Sequence, residues 1–267
     1  MKPSTPHSSR RVLCCILASL FAGSCFANEV FVVGNIAISA NSAISFLESL
    51  HGQSMSEINE ETVLNVEGRV FLGPEAGDQL ACAELRIKTG GQDRRAAALY
   101  VRRILLTVSG DVEINGDMKG PWAGLILEPG ARFSWGGTMS VVGSFARLGV
   151  VGDGTAEGGS LVLEGGELCF YVKNRSEIGR IFSETRPAQI SVESDFSASA
   201  DAAVRVVFEN DAVDTELPEG KFALVSTTKT SGEVPELEIT GISPEQAARA
   251  SLKLDEDGLS LIVAPDP

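Results

Sequence analysis

Histidine is nearly missing from this 267-residue chain: there are two, His7 and His51. Paired-histidine metal motifs are therefore excluded, and a Ser-His-Asp set could draw only on His51. No serine sits in a G-x-S-x-G turn, and His51-Gly52 reads as an ordinary surface loop. Aromatics make up only 6% of the residues, so the core must be built from Ala, Val, Leu and Ile. That mix suits a narrow stack of aliphatic side chains better than an aromatic-rich ligand groove. Of the two tryptophans, Trp122 and Trp135, the second alternates with Phe133; both are read as core, with a stacking site as the functional alternative.

Long apolar runs are also scarce. The one clear case, Val12 to Phe26, spans about 15 residues, short of the roughly 20 a spanning helix needs. It follows Lys2, Arg10 and Arg11 and ends in small residues, with Cys25 and Ala27 before the expected cut. This is the pattern of a secretory signal peptide over residues 1–27. A lipoprotein signal with Cys25 as the lipidated residue is the rival, but Ala22-Gly23-Ser24 lacks the usual leucine. No other stretch is apolar for long enough to cross a membrane.

Basic residues are few. Removing residues 1–27 takes away three basic and no acidic residues, leaving 19 Lys+Arg against 36 Asp+Glu, a formal net charge of -17. Nucleic acid needs a basic footprint and is excluded as the expected partner. The acidity is read as solubility, with loose calcium binding on the surface as the functional alternative. Gly152-Asp153-Gly154 and Gly158-Gly159 have the composition of a calcium nonapeptide but not its pattern, and turn chemistry accounts for them. The one basic cluster is Arg94, Arg95, Arg102 and Arg103. It is read as a solvated loop and strand end, with a small anionic-ligand patch as the functional alternative.

Cysteine is equally sparse in the mature chain. Three of the five lie in the signal, leaving Cys82 and Cys169. At about 22 residues per winding and about 4.8 Å per rung, they fall about four windings, or roughly 19 Å, apart. A disulfide needs Cα atoms within about 7 Å, so both are expected as free, apolar-packed thiols.

Glycine and short alternations fill the space these absences leave. The stretch from Ile104 to Val172, about a quarter of the chain, holds 15 of its 28 glycines. Between them lie Val112-Glu-Ile114, Leu125-Ile-Leu127, Met139-Ser-Val141, Leu161-Val-Leu163 and Leu168-Cys-Phe170. Period-two alternation puts every second side chain on one sheet face. Strands this short cannot each bury a core, so they must stack. The fold class read from this is all-β, a β-solenoid. The opening winding runs over Glu29 to Phe46, followed by one or two helical turns or an end cap over residues 46–59. Glu61 to Leu72 is a strand alternating through Val63, Asn65, Glu67 and then Val70. Past Val172 the strands lengthen: Gln189 to Glu193, Ala203 to Glu209, Lys221 to Thr227, Glu236 to Ile239, Ser251 to Leu254 and Leu259 to Val263. Ser243 and Pro244 predict one short helix start. The domain plan is a signal at 1–27, a solenoid with N-terminal cap at 28–175, and wider C-terminal windings or a β cap at 176–267.

LTVSGDVEING (Leu106 to Gly116), LILEPGARFSWGG (Leu125 to Gly137) and LVLEGGEL (Leu161 to Leu168) resemble the strand repeats of autotransporter-type passenger β-helices. Gly220 to Ile242 and Ser251 to Val263 are similar to the last windings of such passengers. The resemblance implies a right-handed parallel β-helix, secreted or displayed at a cell surface. No dozen-strand membrane barrel pattern follows it.

The function expected is therefore a non-catalytic exported element of a surface, matrix or adhesion system, with surface polysaccharide or another envelope component as partner. The alternative is a β-helix carbohydrate-active enzyme, a polysaccharide lyase or glycoside hydrolase, using paired carboxylates. Glu113, Glu128, Glu164 and Glu167 lie at strand edges or turns, and nothing marks one pair over another. No catalytic, cofactor-binding or metal residue is assigned. The enzyme alternative requires a groove with convergent acids, bases and an exposed aromatic. The structural reading requires smooth faces of Thr, Ser, Asn and charge.

Overall fold

The computed structural model describes residues 28–38 as a strand, and residues 58, 60–73, 79–89, 96–116, 122–151, 161–163 and 165–266 in full. His51, Arg94, Arg95, Glu164, the segment 152–160 and most of 39–59 lie outside the described residues. The chain is mostly β, organised as a large, nearly closed, mostly parallel sheet. Among the described residues no helix is long and apolar enough to cross a membrane.

The sheet radiates from one long strand. β1 (Asn28–Ile38) pairs in parallel along the whole of β2 (Thr62–Leu72). On its other edge β2 divides. Its first half, Val63 to Val66, pairs with β4 (Glu84–Lys88), and its second half, Arg69 to Leu72, with β5 (Ala97–Val101). Two rows of parallel strands lead away from it. Row A continues from β4 through β7 (Val112–Asn115), β10 (Thr138–Val142), β13 (Glu167–Val172), β15 (Ala203–Phe208) and β17 (Glu236–Thr240). Row B continues from β5 through β8 (Ala123–Leu127), β11 (Ala146–Val150), β14 (Ile190–Ala198) and β16 (Gly220–Gly232). A separate row C holds β3 (Gln79–Cys82), β6 (Leu105–Val108) and β9 (Arg132–Trp135). Between Gln79 and Val150 the chain visits rows C, A and B in turn, three times over.

The spacing of those visits corrects the shorter winding expected from the sequence. Hydrogen bonds from Ser109 to Cys82 and from Ser134 to Thr107 join neighbouring rungs of row C, each spanning a sequence separation of 27. Row A keeps the same step where Leu85 meets Val112 and Val112 meets Met139, then lengthens slightly to Leu168. Cys82 in row C and Cys169 in row A are therefore about three strand spacings apart along the rows, roughly 14 Å. Both are buried, free thiols. The step from Leu148 to Ile190 in row B is longer still, and the excess holds helix α1 (Arg175–Ile181).

Every row turns alternate residues inward. In row A the ladder Val66–Ile87–Ile114–Val141–Phe170–Val206 is fully interior. In row B the matching ladder is Val70–Leu99–Leu125–Leu148–Ile190–Val225, and in row C it includes Leu80–Leu106 and Cys82–Val108. These ladders join in one apolar cluster, so the three rows face a common core. The alternation of β2 places Val63, Asn65 and Glu67 on one side, as expected, and that side is the outer one. Leu64 and Val66 point inward, whereas Asn65 takes the outward ladder beside Arg86. Val63 is buried as well, and that hides the true phase from a simple alternation count. Phe133 and Trp135 pack on the core, with ring centroids 5.4 Å apart.

The tail follows its expected strands closely. β12 (Leu161–Leu163) pairs with the second half of β14. β14 and β16 are longer than expected and run on past a register irregularity between Val192 and Asp195. β18 (Ala250–Asp255) and β19 (Gly258–Val263) form a hairpin that joins β16 antiparallel, ending the parallel order. Its turn needs glycine: Gly258 has φ +128, and a Cβ there would meet the Val225 carbonyl oxygen at 2.0 Å. Helix α2 (Pro244–Ala247) starts at the expected cap, where the Gln246 amide donates to Ser243 Oγ.

Candidate functional site

Two outward faces carry the chemistry. The first is row A, where strand register stacks Arg86, Glu113, Ser140, Cys169, Arg205 and Glu238 in one ladder. An open groove of about 500 Å³ runs over its first strands, lined by Glu84, Arg86, Lys88, Glu113, Tyr171 and Glu209 among others. Its charges engage one another across strands. Lys88 Nζ lies 2.8 Å from Glu113 Oε2, and Asn115 Nδ2 donates to Glu113 Oε1 at 2.9 Å. Arg86 pairs with Glu84 on its own strand. Farther along, Arg205 bridges Glu167 at 2.9 Å and Glu238 at 2.8 Å.

Ionisation in the groove follows from these contacts. Burial alone would raise the Glu113 carboxyl, but the hydrogen bonds from Lys88 and Asn115 outweigh it and hold the group low. Burial pushes the Cys169 thiol up to about 11, and burial followed by its contact with that thiol pushes Tyr171 up to about 12. Neither is an ionised nucleophile or base at neutral pH. Among the described residues the displaced carboxyls, Glu113, Glu245 and Asp255, all move downward. A general acid needs the opposite displacement.

A depressed carboxyl stabilises the fold above its unfolded pKa, and that contribution is lost as pH falls through the lower folded value. The melting temperature is thus expected to hold from pH 7 to about 5 and to fall below about pH 4. Lys88→Met should remove part of this acid-dependent limb, lowering stability at pH 7 by under about 1 kcal/mol for so exposed a pair. Melting curves across pH for both proteins check this. Identical acid limbs would show that Lys88 does not hold Glu113.

The second face is the outer side of row B. Register aligns Arg69–Ala98–Gly124–Arg147 in one ladder and Phe71–Tyr100–Ile126–Gly149 in the next. Phe71 and Tyr100 stack at 4.4 Å with planes 9° apart, and Phe71 is 42% exposed. The half-exposed indole of Trp122 folds back over Gly124, where a Cβ would meet its ring at 2.5 Å. Arg147 Nη1 donates to the carbonyls of Ser144 at 3.1 Å and Ala146 at 2.7 Å, which fixes the guanidinium. Burial lowers the Arg147 pKa, and the charge of nearby Arg186 lowers it further. Beside them the Arg180 guanidinium sits 5.3 Å over the Phe145 ring.

Among the described residues, the structure does not assemble those singled out in the sequence into one site. Arg102 and Arg103 are exposed at the corner after β5, and Arg103 has φ +56. Glu113 and Glu167 face cations rather than each other, and Glu128 is half-buried beyond the end of β8. Among the described residues no cluster of three or more His, Cys, Asp or Glu is placed to hold a metal ion. The aromatic ridge and the arginines of row B escape sequence reasoning because their members lie on separate strands, far apart in the chain. Only the strand register brings them side by side. No protein-family model, curated protein or solved structure matches the chain.

Proposed function

We propose that the three rows are the walls of a right-handed parallel β-helix. In this reading the chain is exported under the signal at residues 1–27. It serves as a non-catalytic element of a cell surface, matrix or adhesion system. The observation that carries the non-catalytic part is the self-pairing of row A. Its groove presents Glu113 as an anion held by Lys88 and Asn115, and farther along the row Glu167 pairs with Arg205. Such cross-strand pairs fasten neighbouring strands; they do not leave a proton donor free for a glycosidic oxygen.

The carbohydrate-active reading has one observation in its favour: the same groove gathers acids, bases and Tyr171 in one open trough. A released-sugar and unsaturated-product assay on acidic and neutral polysaccharides separates the two. The expected result is no turnover, and no difference between the natural chain and Glu113→Gln. Turnover abolished by Glu113→Gln would overturn the structural reading.

A further inference from the structure

We propose that the outer face of row B binds an acidic polysaccharide. Its carboxylates or sulfates meet Arg147 and Arg186, and its sugar rings lie against Trp122, beside the Phe71–Tyr100 ridge. This names a ligand for the adhesion role above and rests on that reading for its biological setting, though not for its chemistry.

Charge is the first argument. The mature chain is strongly acidic, yet the outward positions of β5, β8 and β11 on this face hold Arg147, Tyr100, Ile126 and small residues, with Arg69 and Phe71 next to them on β2. From β5 to β11 the outward positions carry no acid; Glu67 stands on the outward side of β2 beside Arg69, and Glu128 lies just past the end of β8. Among the described residues neither Arg147 nor Arg186 pairs with a carboxylate, whereas Arg205 on row A holds two. Arg186 lies three residues before Gln189, whose carbonyl accepts from Leu148 N next to Arg147, and an anion shared by two neighbouring guanidinium groups offsets their repulsion.

Shape is the second argument. Arg69 and Arg147 lie three rungs apart on one ladder, about 14 Å. The residues between them, Ala98 and Gly124, are small and buried, so the surface over that ladder is made by their larger neighbours. Trp122 covers Gly124 next to the Arg147 rung and presents its half-exposed ring there, and the stacked Phe71 and Tyr100 stand on the adjacent ladder. An aromatic beside fixed cations suits a sugar carrying an anionic group, since the ring's apolar face and the charge are recognised separately. A nucleic acid would bring many phosphates against a protein of the same sign.

The test is binding of the full chain to immobilised polygalacturonate and dextran sulfate, with neutral dextran as comparison, at about 0.15 M salt. The expected result is retention by the acidic polymers only, weakened roughly tenfold or more by Arg186→Gln and further by Arg147→Gln with Arg186→Gln. Arg147 also holds a turn through Ser144 and Ala146. Arg186→Gln alone therefore keeps the test sound if the double variant folds poorly. Trp122→Ala should weaken binding as well, and Lys229→Gln, altering an exposed pair with Asp195, should not. Equal retention by neutral dextran, no loss with Arg186→Gln, no binding to either acidic polymer, or tighter binding to RNA or to anionic lipid vesicles would each overturn the proposal. Failure to bind leaves the non-catalytic reading standing; turnover of a bound polymer overturns that reading and leaves this one.

Discussion

Replacing Glu177 with alanine is expected to lower the unfolding free energy by roughly 3 kcal/mol or more. The side chain is 1% exposed and sits in the first turn of α1. Its carboxylate is spent on main-chain amides. Oε1 accepts from Ser144 N at 3.0 Å, and Oε2 accepts from Lys173 N at 2.8 Å and Asn174 N at 3.3 Å. One buried acid thus ties three pieces of chain: the turn before β11, the exit of β13 and the start of α1. The turn is shaped to receive it. Gly143 has φ +78, and a Cβ there would crowd the Gly116 carbonyl at 2.5 Å and Glu177 Oε1 at 3.1 Å. Alanine at position 177 would leave buried N–H groups without an acceptor, each costing about 1–3 kcal/mol. Glu177→Gln keeps one acceptor oxygen but turns an NH2 toward an N–H, so its loss should be intermediate. Urea unfolding of the three proteins reads this directly. A change below about 0.5 kcal/mol at constant m-value would mean the carboxylate bridges nothing that matters to stability.

Glu177 also shows where the sequence stops being readable. The signal for α1 is present: Asn174 and Glu177 stand at capping spacing, followed by Ile178, Ile181 and Phe182 on one helical face. A strand-only reading of the region passes over it. Its partner Ser144 belongs to a distant turn, and nothing in either segment announces the other. Strand existence, by contrast, is legible wherever glycine turns bracket an alternation, as at Val112–Asn115 and Ala123–Leu127. The same local logic finds β18, β19 and the Ser243 cap. What fails is counting across loops. The distance at which the chain returns to a row is set by loop lengths, not by alternation, and so is the meeting of Phe71 with Tyr100. In β2 the alternation does not tell the inner side from the outer, because Val63 is buried beside Leu64. Candidate sites built from register, such as the row A groove and the row B arginines, are therefore the part that needs coordinates.

Register also makes the fold testable without a high-resolution experiment. Leu125→Ala is expected to destabilise the protein by roughly 3–4 kcal/mol, and its neighbour Ile126→Ala by about 1 kcal/mol or less. Leu125 is fully buried between Leu99 and Leu148 on the inward ladder of row B. Truncating it opens a cavity between two rungs that are locked in place by their own strand pairing, so the site has little freedom to collapse. Ile126 points the other way, between Tyr100 and Gly149, and loses only part of its contact with the surface ridge. Hydropathy gives no reason to separate two adjacent aliphatics in LIL; only the pleat does. The contrast should repeat one rung away. Leu99→Ala should cost as much as Leu125→Ala, whereas Tyr100→Ala should cost less despite removing a larger side chain. The double variant of Leu99 and Leu125 should depart from additivity, because the two share one cavity. Equal losses at Leu125 and Ile126 would place both on one buried element and remove the alternating wall on which the stacked rows, the groove and the arginine face all depend.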